Sequence, residues 1–260
     1  MSAKVKGMIS STLLKQYVLY FNRHTFLQKF RCIQWMNKRA QLKEAYCPTS
    51  IEHLANIITH GFWIIPSIIG TFELVNRSND RDHLLSAIVY GVTLIFLFSV
   101  STSFHCVFYC NKYRQLKDIL HRCDRAMIYI FIAGSYFPWL TLEQLPQEGW
   151  ASQMRWIVWF LAVIGVTYQQ IFHEKYKMLE VIFYVVMGLG PVLPIIAEHH
   201  FLGMKELSMG GLLYLLGIIF FKCDGVLPFA HAIWHLFVVL AAYFHYSAIL
   251  DYLYPVLKTN

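Results

Sequence analysis

Seven apolar stretches, each long enough or nearly so to cross a bilayer, constrain this chain more than any other feature. They lie at about 54–75, 84–108, 125–142, 154–172, 179–197, 207–222 and 227–250. A helix needs ~20 residues to span the hydrocarbon core. The sixth run is the weakest, and the third is short, with Gly134, Ser135 and Pro138 predicting a kink in it. The runs are continuous and lack the strict alternation of a barrel. Of the 260 residues, 57% are apolar and 14% charged, against roughly 25% charged in a soluble domain. Mean hydropathy is +0.46. So large an apolar surplus cannot be buried in a soluble globule of this size. The chain reads as all-α, a polytopic membrane protein forming a seven-transmembrane helix bundle.

Lys and Arg are distributed asymmetrically along this topology. Seventeen of the 22 fall on one side: Lys4 to Lys43 ahead of the first span, Lys112 to Arg125, Lys175, Lys177 and Lys222. Five (Arg77, Arg81, Arg155, Lys205 and Lys258) fall on the other. Because cytosolic loops carry the positive excess, the N-terminus is expected in the cytosol and the C-terminus in the lumen or outside. The net charge of +7 then reflects membrane topology, not nucleic-acid binding. All six cysteines land on the reducing side, which argues against structural disulfides. No cleavable signal peptide is evident, so the first span is expected to act as an uncleaved anchor. The sequon Asn76-Arg77-Ser78 lies too close to helix ends for efficient glycosylation.

Two regions follow. Residues 1–50 form a basic cytosolic N-terminal segment. Within it, Leu13, Leu14, Tyr17, Phe21, Phe26 and Phe30 alternate with Lys15, Arg23 and Lys29, as in an amphipathic helix on an anionic leaflet; a partly disordered arm fits the same composition. Residues 51–254 form the transmembrane domain.

Ionisable side chains inside spans are costly, and by default they mark function. His231 and His235 are four apart, within about 40° on one helical face. This spacing suits two imidazoles on one metal. An even-numbered span ends on the side where odd-numbered spans begin. Parity therefore brings His105 and Ser101, near the end of the second span, to the same membrane face as His231 and His235 at the start of the seventh. Asp124, at the start of the third, joins them. Three His ligands leave one zinc position open, the arrangement of a catalytic site. Asp124 could then accept a water proton, and Ser101 could donate to a substrate oxygen or orient the water.

Each residue also has a plainer role. An intramembrane His can serve as an interhelical hydrogen-bonding group, Asp124 can pair with Arg122 or Arg125, and Ser101 can bond a backbone carbonyl four residues back. Cys106, Cys110 and Cys123 are competing ligands at similar depth. A second stripe, Glu52, Asn56, Thr59 and His60, starts on the same side; it could support the metal ligands or act as polar glue between helices. His245 is off the ligand face. His173-Glu174-Lys175 and Glu198-His199-His200 read as solvated loops.

Glu52-x3-Asn56-x2-Thr59-His60, Ser101-x2-Phe104-His105, Asp124-Arg125 and His231-x3-His235 followed by His245 together resemble the progestin and adipoQ receptor/hemolysin III superfamily, over about Cys47 to Tyr254. That resemblance implies seven helices with a cytosolic N-terminus. It also implies zinc at the cytosolic end, held by residues matching His105, His231 and His235, with Asp124 and Ser101 matching the motif Asp and Ser. The superfamily is similar to alkaline ceramidases, and the resemblance suggests Golgi and late endosomal or lysosomal membranes. The function expected is metal-dependent hydrolysis of a lipid amide or ester, ceramide-like in substrate, at the cytosolic leaflet. The rival expectation is a non-catalytic receptor or scaffold in which zinc clamps the bundle and protein partners bind the cytosolic face.

Overall fold

Where the apolar runs sit, the computed structural model forms helices. It describes residues 34–41, 44–143, 150–192 and 203–255. The expected amphipathic helix and Glu198-His199-His200 lie outside the described residues. By its contacts the chain divides into units 1–35 and 36–260, and all that follows concerns the second.

Among the described residues there is helix and no strand. The helices are α1 (Ser50–Gly61), α2 (Ile64–Asn76), α3 (Arg81–Cys110), α4 (Arg114–Leu142), α5 (Trp150–Ile171), α6 (Lys177–Leu189), α7 (Met204–Phe221) and α8 (Ala230–Ala248). A π-helical turn, Ile249–Leu253, extends α8. From α2 onward, helices adjacent in sequence pack side by side, and α8 returns to α1, which also packs on α3. Four segments are long and apolar enough to cross a membrane: Ser50–Asn76, Arg81–Cys110, Met204–Phe221 and Ala230–Leu253.

The outer face of the bundle is apolar. Phe62, Ile65, Ile69, Phe72, Trp156 and Phe160 are all more than 60% exposed. Such a belt cannot face water, but it suits acyl chains. Inside, hydroxyls satisfy themselves locally: Thr71 donates to the Ser67 carbonyl, Thr93 to Tyr90 and Thr102 to Phe98. The chain is an integral multi-pass membrane protein.

Two departures from the expected spans matter for function. The first span is broken at Phe62–Trp63. Pro66 explains the break: it has no N–H for the Phe62 carbonyl, and its ring would clash with that carbonyl in a continuous helix. The helix carrying Asp124 starts at Arg114, well ahead of the apolar run at 125. Asp124 is therefore an interior helical residue with a fixed direction. The helix continues through Pro138 as one element.

Small residues set the helix spacing. A Cβ on Gly134 of α4 would lie 2.2 Å from Thr93 Oγ1 of α3, and one on Gly165 of α5 would lie 2.4 Å from the ring of Tyr129. Overpacking of this kind costs about 1–3 kcal/mol. Gly134→Ala is expected to lower the thermal unfolding midpoint in detergent by several degrees, and adding Thr93→Ala should recover part of the loss. No change in the single variant would mean that α3 and α4 do not meet this closely.

Candidate metal centre

The site is built from α1, α3, α4 and α8, and its geometry begins with how α1 is anchored. Thr49 caps α1 in a reciprocal capping box with Glu52. The Glu52 carboxylate also accepts from Tyr46 Oη at 2.9 Å and from the Phe229 N–H at 3.3 Å. Phe229 precedes α8 in the left-handed region, with φ +59°, an unfavourable conformation for a bulky residue. One buried carboxylate thus ties the starts of α1 and α8 together and holds His231 and His235 against α1.

Ring nitrogens of His105, His231 and His235 lie within 4.8 Å of one another. His105 and His235 are 2% exposed, and His231 is half-buried. Each ring is held at Nδ1. Thr59 Oγ1 donates to the Ala55 carbonyl at 2.8 Å and accepts from His235 Nδ1–H at 3.0 Å. Asp224 Oδ2 faces His231 Nδ1 at 3.3 Å. The Asn56 amide lies 3.5 Å from His105 Nδ1. Its Oδ1 is buried without a partner, so the amide is best assigned with oxygen toward Nδ1–H. In all three rings this assignment leaves the Nε2 lone pair for a ligand. The donor set fits a divalent metal, and one observation supports the fit: His105 Nε2, within the trio, is fully buried with no hydrogen-bond partner. A bare imidazole nitrogen in that position is costly unless something coordinates it.

Asp124 and Ser101 stand beside this trio. Ser101 Oγ is 2.8 Å from His60 Nδ1, and Asp124 lies close enough to Ser101 for the two to interact. With His60 Nδ1–H donating to Ser101, the Ser101 hydroxyl proton is left for another acceptor. His60 in turn stacks on His235 with ring centroids 3.6 Å apart. The ion pair with Arg122 or Arg125, the plainer role open to Asp124, does not form. Arg125 reaches Glu174 at 2.9 Å and Glu180 at 3.3 Å, and Arg122 donates to the Gln170 carbonyl.

The second polar stripe is thus divided between support and packing. Asn56 and Thr59 orient ligands, Glu52 anchors α1 and α8, and His60 bonds Ser101. Cys106, Cys110 and Cys123 are free thiols outside the histidine cluster. His245 packs against Tyr214. Sequence reasoning missed Asp224. Its only signal is a carboxylate seven residues before His231, in a turn whose Gly225 sits at φ +73°.

A second group, His121, His173 and Glu174, also has metal-capable spacing, but its hydrogen bonds run one way. Gln170 Nε2 donates to Gln169 Oε1, and Gln169 Nε2 to His173 Nδ1, both at 2.7 Å. His173 Nε2 then donates to His121 Nδ1 at 3.1 Å, and His121 Nε2 faces Glu174 at 3.5 Å. Every ring nitrogen is engaged, and Arg125 and Lys177 already neutralise the carboxylate. The group is a structural relay. Glu174, expected to be solvated, is 8% exposed.

The architecture defines a class, multi-pass helical membrane proteins with a buried three-histidine centre. Comparison with known families then places the chain within it. Residues 49–246 match the family described as Haemolysin-III related, and the chain belongs to that family. It is 47% identical to the human monocyte to macrophage differentiation factor, over 87% of this chain and 94% of that one. It is 32% identical to hemolysin-3 of Bacillus cereus, over 78% and 93%. It is also 25% identical to the adiponectin receptor protein of Drosophila melanogaster, over 75% of this chain and 49% of that one.

Two expectations follow from this geometry. Replacing a group that orients a metal ligand typically costs about 10–100-fold in affinity. Asp224→Asn should therefore weaken metal retention by roughly that factor, read as metal content after chelator competition, while His105→Ala should abolish retention. Unchanged retention in both would show that the trio does not bind metal.

The second concerns pH. Burial is the main cause that moves His173 down to about 4 from 6.5. Burial opposes ionisation of Glu174, yet Arg125 and Lys177 carry it from 4.5 down to about 2. Both folded values lie below the unfolded ones, so the folded state binds fewer protons. Stability should be fullest above pH 6.5. It should fall as His173 titrates between 6.5 and 4, and again as Glu174 titrates between 4.5 and 2. In Glu174→Gln, unfolding midpoints measured against pH should lose the lower window and keep the upper one.

Proposed function

We propose that the chain is a seven-span, zinc-dependent hydrolase of a lipid amide or ester bond, with its N-terminus and its histidine centre on the cytosolic side of an endomembrane, in the Golgi or the late endosomal and lysosomal system. The observation that carries this reading is the pairing of an open three-histidine centre with a carboxylate, Asp124, that forms no ion pair with Arg122 or Arg125. Three imidazoles from α3 and α8 suit zinc among the common divalent metals. Bound there, zinc supplies Lewis acidity, polarising a carbonyl and making water nucleophilic near neutral pH.

The chain's own residues do the rest. Asp124 takes the proton from the attacking water and delivers it to the departing amine or alkoxide. Ser101, one turn before His105 and bonded to His60, orients the water or donates to the substrate oxygen. His60 keeps the Ser101 lone pair engaged. Net, one water is consumed, the acyl–N or acyl–O bond breaks, and a fatty acid leaves with the amine or alcohol. The cavity against His105 and His231 provides room for an acyl chain beside the reacting carbonyl.

A second reading, a receptor or regulatory scaffold with structural zinc, draws support from the family itself, since one relative is an adiponectin receptor protein. Asp124→Asn separates the two. A hydrolase should lose about 100-fold or more in fatty-acid release while retaining a full complement of zinc. A scaffold should keep its cellular effect in the same variant. If wild-type protein with full zinc occupancy releases nothing from ceramides or phospholipids, while a ceramidase assayed in parallel does, the hydrolase reading fails.

A further inference from the structure

The cavity beside the histidines has a volume of about 790 Å³, within the usual range for ligand sites, and its wall is of two kinds. One part is apolar, from Phe104, Phe108, Met178, Leu179 and Phe221. The other is cationic: Arg39, Arg125, Lys175, Lys177 and Lys222 line it against only two carboxylates, Glu174 and Asp224.

These charges do not balance. Arg125 and Lys177 share Glu174, and Asp224 is turned to His231. Lys175 lies over the rings of Phe172 and Tyr176. Among the described residues, neither Arg39 nor Lys222 forms an ion pair with a carboxylate. Lys222 is half-buried, and the charged groups around it are Arg125, Lys177, Arg39 and Glu180. Glu180 already accepts from Arg125 and the Tyr184 hydroxyl.

This crowding is built into the backbone. A Cβ at Gly225 would fall 2.5 Å from Arg39 Cα, so the glycine lets the segment before α1 approach the turn after Lys222. Like charges gathered at a low-dielectric cleft repel one another and attract an anion. The two cations without a carboxylate partner come from different elements: the segment before α1 and the end of α7. Their natural complement is an oxyanion with oxygens on several sides. The apolar wall behind them requires that the anion carry hydrocarbon.

We propose that this cavity takes a lipid whose head bears a phosphate group, with Arg39 and Lys222 receiving the phosphate oxygens and the acyl chain lying along Phe104, Phe108 and Phe221. This deepens the hydrolase reading and rests on it for which bond is cut, but binding can be tested without turnover. The probes are dioctanoyl phosphatidic acid, dioctanoylglycerol with the same chains and no phosphate, and inorganic phosphate. Each is titrated against the zinc-loaded full chain carrying Asp124→Asn in detergent, following intrinsic tryptophan fluorescence.

The phosphatidic acid should bind well ahead of dioctanoylglycerol. Adding Arg39→Gln and Lys222→Gln should weaken it about tenfold or more, as expected for loss of two charge-assisted contacts, and leave dioctanoylglycerol unchanged. Lys222→Arg should restore affinity where Lys222→Gln does not. Equal binding of the two amphiphiles, or unaltered affinity in the double glutamine variant, overturns the proposal. Displacement by inorganic phosphate at equal concentration assigns the cations to free phosphate and overturns the lipid head. Phosphate-dependent lipid binding by a protein that hydrolyses nothing would sink the hydrolase reading alone.

Discussion

The centre depends on which nitrogen of each imidazole is occupied. A histidine can present either ring nitrogen, and three unconstrained rings would rarely converge with three lone pairs inward. Here Thr59, Asn56 and Asp224 engage Nδ1 of His235, His105 and His231 in turn. Two of those three groups sit on α1, which contributes no ligand. The helix is in effect a template lying between α3 and α8, and its placement traces to Glu52 at its cap and to the break that Pro66 imposes after Phe62. Without the break, α1 and α2 would share one axis, and the template and the α2 packing on α3 could not be set independently.

The same economy governs the charges. Arg122 and Arg125 flank Asp124 in sequence, and a neighbouring guanidinium would neutralise the carboxylate and remove its use as a base. Helical geometry sends them elsewhere: Arg125 to Glu174 and Glu180, Arg122 to a carbonyl of α5. Glu174 is itself turned inward by a left-handed backbone, φ +60°. The relay through His173 and His121 ends on that carboxylate. The polar network thereby draws both guanidinium groups into bonds other than an ion pair with Asp124.

Much of this was legible in the residues and some was not, for identifiable reasons. His231 and His235 share a face by helical period, and span parity brings His105 to the same end; neither needs a structure. The polar stripe on α1 was visible too, though not which of its members orient ligands, since period alone fixes a face and not a partner. Asp224 was missed because it lies in a turn, where no periodicity applies. The start of α4 at Arg114 was missed because an apolar run marks the membrane and not the helix. Glu174 read as solvated because burial in a loop is set by distant partners such as Arg125, 49 residues away.

Exposure differs among the three histidines, and the difference has a direction. His105 and His235 are closed in by α1 and by the stacked ring of His60. His231 is half-buried and lines the cavity together with Asp224. Among the described residues, the cavity meets the centre at His105 and His231, beside the cations of Arg39 and Lys222 and the rings of Phe104 and Phe221. Ser101 on α3 is buried, whereas Asp124 on α4 is half-buried like His231. A carbonyl arriving through that cavity would have its acyl chain held by phenylalanines and its head left among lysines and arginines. The Nδ1 bonds of His105 and His235 lie on buried rings, so the groups that hold those rings are shielded from water.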